Sequence, residues 1–122
     1  MTMAGDRGKL VRLREIAELA LNAELAALSA IRAEEERPHA RLREIEEAIR
    51  ARVLLAASST AFDPARLSGA EEAWSRWADR ERRAAFRDLA RIAERKEAQL
   101  ARTRRAFGRK EALGRLAERL AR

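Results

Sequence analysis

The chain has no cysteine, a single histidine and, among its aromatic residues, only two Trp and three Phe. Without cysteine it can form neither a disulfide bond nor a thiolate metal site. One histidine alone lacks the companions that a metal centre or a nucleophilic catalytic site needs. No apolar run reaches the roughly 18 residues of a membrane span, and no Gly-rich phosphate-binding loop is present. We therefore expect a non-enzymatic protein that inserts in no membrane and uses no cofactor, metal or small-molecule substrate.

Alanine, glutamate, arginine and leucine make up most of the 122 residues, of which 39% are charged and 47% apolar. This composition is typical of a coiled coil or a long helix. Two helix-forming stretches, at about 6–57 and 69–122, flank a segment, 58–68, that is rich in helix breakers. The sequence predicts one all-α domain, 1–122, that folds back once near Asp63 into a long antiparallel two-helix coiled-coil hairpin.

In the first helix the apolar residues recur at helical spacing. The predicted stripe consists of Leu10, Leu13, Ala17, Leu21, Leu25, Leu28 and Ile31, then Leu42, Ile45, Ile49, Val53 and Ala56. Pro38 interrupts this stripe, and a proline inside a helix costs roughly 3 kcal/mol because it removes a hydrogen bond and crowds a carbonyl. No capping residue stands immediately before Pro38, so we expect a kink there, with a break into two helices as the alternative.

The second helix has a start signal, since Ser68 and Glu71 match a capping box. Its predicted stripe consists of Trp74, Trp77, Ala85, Leu89, Ile92, Leu100, Phe107, Leu113, Leu116 and Leu120. A symmetric fold-back would place the Ile49–Val53 turn near the tryptophans, Leu21 near Phe107, Leu10 and Leu13 near Leu113 and Leu116, and Pro38 opposite the turn 86–89.

Positive charge is concentrated late in the chain. Residues 1–57 carry ten basic and ten acidic residues, whereas residues 69–122 carry sixteen basic and nine acidic. A hairpin brings both termini to one end, and such a concentrated positive field attracts an acidic partner. A solvated surface is the alternative. The predicted partner-binding residues of this basic end are Arg102, Arg104, Arg105, Arg109, Lys110 and Arg115.

Several other residues have two interpretations. Trp74 and Trp77 share a helix face beside the turn, either as core or as an anchor for another protein. Gly108 and Gly114 each weaken the helix by about 1 kcal/mol, which fits either a fraying end or a segment that adapts on docking.

We interpret His39 as an exposed residue beside Pro38. The glutamates of the run 34–36 radiate around a helix, so we interpret them as a solvated surface and not as a calcium site.

The chain resembles the FliJ/YscO family of coiled-coil stalk proteins from bacterial flagellar and type III protein export machines. The resemblance rests on the size, the single hairpin, the repeat of Leu, Ala, Arg and Glu, and two segments, Ala73-Trp74-Ser75-Arg76-Trp77 and the stretch 105–113. It extends over nearly the whole chain. Pro38 and Gly114, inside the arms, depart from a smooth stalk.

This resemblance implies a non-enzymatic, cytoplasmic protein, peripheral at the inner-membrane export apparatus. Its basic end would enter the hexameric export ATPase ring, and the turn end with Trp74 and Trp77 would face the export gate. Two other functions stay open. The chain could be a coiled-coil scaffold or homodimeric adaptor, or, given its sequence pI near 11.2, a basic helical nucleic-acid-binding protein. Nucleic acid is the less favoured partner, because acidic residues intersperse most of the basic helix.

Overall fold

The protein is described from a computed structural model, which describes residues 3–58 and 69–121. Helix α1 is Met3–Ser58 and helix α2 is Ala70–Ala121. Within these residues the two long helices pack against each other and no strand is present. The all-α helical hairpin is therefore confirmed. Asp63, where the fold-back is predicted, lies outside the described residues.

Pairs of side chains that cross from α1 to α2 give the direction of packing. Arg52 pairs with Glu71 at 2.6 Å between Nη1 and Oε2, and Arg41 pairs with Glu81 at 3.2 Å between Nη2 and Oε2. Later residues of α1 thus meet earlier residues of α2, so the helices are antiparallel.

Helix α1 runs through Pro38 as one helix. The alternative expectation, a break into two helices at Pro38, is therefore wrong. Pro38 is buried and lines a shallow groove with Ala84 and Ala85 of α2. Burial of the proline ring offsets part of the lost backbone hydrogen bond. The groove places Pro38 beside Ala84 and Ala85, which precede the predicted turn 86–89, and Asp88 of that turn also lines it. His39 is exposed, as expected.

Helix α2 begins one residue later than the capping box predicts. The carbonyl of Gly69 accepts a hydrogen bond from the amide of Ala73 at 3.0 Å, which is the first bond of the helix. Gly69 has a φ of 80°, in the left-handed region that glycine adopts without steric cost. The Glu71 carboxylate pairs with Arg52, and Ser68 lies outside the described residues.

The contact surface of the helices follows a strict seven-residue repeat. On α2 the buried positions are Ala78, Ala85, Ile92, Gln99 and Ala106, and on α1 two interleaved series include Leu21, Leu28 and Leu42, and Ile31, Pro38 and Ile45. Several residues of the predicted stripes are exposed and not buried. Most of them lie outside the buried positions of the repeat, although Ala56 is at the same position as Leu42. The exposed ones are Leu13, Leu25, Val53, Ala56, Trp77, Phe107 and Leu116.

The chain divides into two compact units. The terminal unit comprises Met1–Arg32 and Glu94–Arg122, and the central unit comprises Ala33–Ala93. The core of the central unit contains Leu42, Ile45, Ala78, Ala85 and Ile92, whereas that of the terminal unit contains Leu21, Leu28, Ile31, Ala106 and the polar Gln99.

Candidate protein-binding surfaces

The net charge lies entirely in the sequence of the terminal unit. Its two segments carry fifteen Lys and Arg and eight Asp and Glu, a net charge of +7, whereas the central unit carries twelve of each and is neutral. Exposed charges separated by more than about 8 Å are largely screened at physiological salt. Only a concentrated set such as this one provides a field that a charged partner can recognise.

The six predicted basic residues do not form a single patch. Arg104, Arg105, Arg109 and Arg115 are exposed, whereas Lys110 is half-buried. Within the described residues, no carboxylate forms an ion pair with Arg105 or Arg109. At about 100° per residue, Arg102, Arg105 and Arg109 share one side of α2, and Arg104 lies on another. The structure therefore brings only part of the predicted set together.

Arg102 is engaged in a polar cluster between the helices. Its Nε lies 3.2 Å from Oε2 of Glu24, and its Nη2 lies 3.4 Å from Oε1. The side-chain amide of the buried Gln99 donates to the same Oε2 at 2.6 Å and to the Glu24 carbonyl at 3.0 Å. Hydrogen bonds from Gln99 and Arg102 hold the pKa of the Glu24 carboxyl below its ordinary value, and the charge of Arg105 contributes. A polar pair within an apolar repeat favours one alignment of the helices.

Arg7 joins the first turns of α1 to the last turn of α2. Its Nη2 and Nε donate to the carbonyl of Leu120 at 2.7 Å and 3.2 Å. The last carbonyls of a helix have no partner within it, and a cation there also complements the helix dipole. Arg7 thus acts as a C-cap supplied by the other helix. Sequence reasoning counted it only as a charge, although a basic residue opposite a helix end was a usable signal.

Trp74 and Trp77 form an aromatic pair in the central unit, with ring centroids 6.1 Å apart and planes tilted by 44°. Two arginines of α1 cover these rings. The guanidinium carbon of Arg52 lies 3.9 Å from the Trp74 centroid, and that of Arg41 lies 5.6 Å from the Trp77 centroid. Trp74 is half-buried, whereas Trp77 is 39% exposed. Trp77 thus offers a partner the more accessible ring.

Sequence reasoning missed a second apolar side of α1 in the terminal unit. Leu13, Ile16 and Leu19 are 48%, 61% and 69% exposed. Ile16 and Leu19 stand outside the predicted stripe, and their spacing of three residues from Leu13 was the available signal. A cluster of exposed large apolar side chains marks an interaction surface more often than scattered single ones do.

Among residues 3–58 and 69–121, no group of three or more His, Asp or Glu side chains is placed to hold a metal ion. Neither described helix has an apolar stretch long enough to cross a bilayer. The candidate sites are the arginines of the terminal unit, the second apolar side of α1, and Trp77 with its neighbours.

Comparison with models of known protein families, with curated proteins and with solved structures finds no match to this chain.

Proposed function

We propose that this chain is a non-enzymatic helical-hairpin adaptor, acting as a stalk component of a bacterial flagellar or type III protein export apparatus. It would be cytoplasmic, and peripheral to the apparatus at the inner membrane. The fold supports an adaptor, because two long helices present side chains over a large surface. The resemblance to FliJ/YscO proteins supports the export role.

The concentration of charge carries the proposal. The terminal unit holds the whole net charge of +7 in its sequence, and its exposed Arg105 and Arg109 have no ion-pair partner within the described residues. Exposed, unpaired arginines favour association with a negatively charged partner. In an export apparatus that partner would be the hexameric ATPase ring, and the export gate would contact Trp77 and Trp74.

Charge reversal tests the first contact. The double variant Arg105→Glu/Arg109→Glu should weaken binding to the export ATPase about 100-fold, because two favourable contacts become repulsive. The matched control is Arg83→Glu/Arg87→Glu, which has the same spacing and two exposed positions in the central unit. Unchanged ATPase capture and stimulation by the first variant, or equal losses in both, would reject this contact.

Removal of the accessible indole tests the second contact. Trp77→Ala should reduce binding to the export gate about tenfold while helicity at 222 nm stays unchanged. Phe86→Ala is the matched control, since Phe86 is 51% exposed in the same helix and unit. A Trp77→Ala protein that loses helicity would show that Trp77 serves the core, and one that binds the gate normally would remove Trp77 from the interface.

The exposed apolar residues of α1 favour a second candidate, a homodimeric adaptor. Light scattering distinguishes the two functions. A monomer over the micromolar range supports the stalk, whereas a stable dimer supports the homodimeric adaptor.

A further inference from the structure

The second apolar side of α1 is a continuous stripe along the terminal unit. From Leu13, Ile16 and Leu19 it continues through alanines, each of which lies three or four residues from another member of the stripe: Ala20, Ala23, Ala26, Ala27 and Ala30. All of these residues are exposed except Ala27, which is half-buried. At about 1.5 Å per residue the stripe is roughly 26 Å long, which suits several turns of a partner helix.

Helix α1 is apolar on more sides than α2 covers. Between Leu19 and Ile31 the only charged residue is Glu24, and its carboxylate is bonded to Gln99 and Arg102. A helix that is apolar all round is ordinarily buried all round. Within residues 3–58 and 69–121, no element covers the exposed flank of this segment.

The arginines of α2 border this flank. Leu21 and Leu28 are buried on one side of Glu24. The side chain of Arg102 is largely exposed, so it contacts Glu24 from the opposite side. Ala20, Ala23 and Ala27 lie on that flank. Arg105 comes three residues after Arg102, about 60° from it around α2, so it lies on the same side.

Helical periodicity adds a third arginine, Arg109, to the side of α2 that carries Arg102 and Arg105. Arg109 is seven residues from Arg102 and four from Arg105, so it shares their side of α2. Arg104 lies about 100° around the helix from Arg105, and Phe107 about 140° from Arg102. One side of the terminal unit thus combines an uncharged apolar stripe with a row of arginines.

We propose that this side of the terminal unit, the stripe 13–30 with Arg105 and Arg109, binds an acidic amphipathic α-helix of a partner protein. The alanines let a helix axis approach closely, because they carry only a methyl group. Leu13, Ile16 and Leu19 bury apolar area, and the arginines pair with acidic residues beside the partner's apolar stripe.

The positive charge of the terminal unit favours an acidic helix over a second copy of this chain, and the apolar stripe favours it over nucleic acid. A second copy would bring its own unit of +7 against the first, which like-charge repulsion disfavours. Nucleic acid would satisfy the arginines but leave the apolar stripe uncovered. This inference rests on the proposed function, because it specifies which element an acidic partner presents at the basic end.

The test uses the full chain and a fluorescein-labelled helical peptide of about three heptads, with Leu and Ala at a and d and Glu at the flanking positions. A second peptide has the same composition in scrambled order. In anisotropy titrations the patterned peptide should bind about tenfold more tightly than the scrambled one, because only it presents an apolar stripe beside its carboxylates. Equal affinities would overturn the proposal.

Two matched pairs of variants locate the site. Arg105→Glu should weaken peptide binding about tenfold and Arg104→Glu less than about threefold, although both positions are exposed and the change in charge is the same. Ala23→Glu should abolish binding, whereas Asn22→Glu, next to it off the stripe, should not. Circular dichroism confirms that each variant folds. Equal losses within each pair would reject the assignment to this side.

Four further outcomes separate the inference from its rivals and from the export role. A dimer that Ala23→Glu dissociates would replace the acidic helix with a second copy. Tighter binding of a DNA duplex than of the patterned peptide would replace it with a polyanion. If the patterned peptide binds in this side-specific way but no export ATPase is captured, the inference stands and the export role fails. If the ATPase binds and the peptide does not, the docking inference fails alone.

Discussion

The two units of this hairpin are built from the same two helices but use polar residues differently. In the central unit, arginines of α1 pair with glutamates of α2 and cover the tryptophans. In the terminal unit the core itself contains a polar cluster, and Arg105 and Arg109 face solvent without a carboxylate partner in the described chain. From this difference we predict that the central unit contributes more of the stability and the terminal unit more of the binding.

The largest expected effect comes from emptying the central core. Ile45 is 2% exposed, and replacing a buried isoleucine with alanine costs about 3 kcal/mol in free energy of unfolding. Ile45→Ala should lower stability by that amount, whereas Ile16→Ala, at a 61% exposed position, should change it by less than about 0.5 kcal/mol. Urea unfolding followed at 222 nm measures both. Similar losses would mean that Ile16 is covered in solution.

The heptad positions explain how far the sequence could predict this core. Large residues such as Leu21, Leu28 and Ile45 were predicted to be buried and are. Phe107 was predicted to be buried and is exposed, while Gln99 and Ala106 occupy the interface in its place. Hydrophobicity alone favoured Phe107 as a core residue. The buried series of α2, which repeats every seven residues through Ala85, Ile92 and Gln99, consists partly of small and polar residues, so hydrophobicity does not reveal it.

The candidate sites were predictable only in part, for a related reason. The excess of positive charge could be read from composition, since a charge count needs no geometry. Which arginines share a side depends on the rotation of α2 about its axis, and that rotation follows from the core register. The second apolar side of α1 was missed because Leu13 was assigned to the core, where the register does not place it.

Replacing a glycine with alanine should change the free energy of unfolding in opposite directions in the two units. Gly69 in the central unit has a φ of 80°, so Gly69→Ala should cost about 1 kcal/mol even though no atom blocks the added methyl group. Gly108 in the terminal unit lies within α2 with no atom within 4 Å of an added Cβ, so Gly108→Ala should stabilise by about 1 kcal/mol. Thermal unfolding of both variants tests this contrast. A destabilised Gly108→Ala protein would show that α2 bends there in solution.

Removing an arginine should cost more in the central unit than in the terminal one. Arg52 pairs with Glu71 at 2.6 Å and lies 3.9 Å from the Trp74 centroid. These half-exposed contacts together contribute about 1 kcal/mol. Arg52→Ala should lose that stability, whereas Arg105→Ala should lose almost none. A double-mutant cycle with Glu71→Ala separates the ion pair from the ring contact, and equal losses for the two arginines would contradict the contrast between the units.

The smallest expected effect is a pH dependence that originates in the terminal unit. Hydrogen bonds from Gln99 and then Arg102 lower the pKa of Glu24 in the folded chain, so the unfolded state binds its proton more tightly. The stabilisation from Glu24 is therefore fully present above about pH 4.3, the ordinary value for glutamate, and is lost as the pH falls through the lower folded value.

Comparing the native chain with Glu24→Gln isolates this contribution from that of the other carboxylates. The difference in their free energy of unfolding should be largest near neutral pH and should shrink as Glu24 of the native chain becomes protonated. Gln99→Leu removes the strongest hydrogen-bond donor and should return the pKa of Glu24, followed by NMR of its carboxyl carbon, towards the ordinary value. A difference that stays constant across the acid range would show that the Gln99 amide does not hold the carboxylate in solution. The two helices would then be aligned in the terminal unit by Leu21, Leu28 and Ile31 alone.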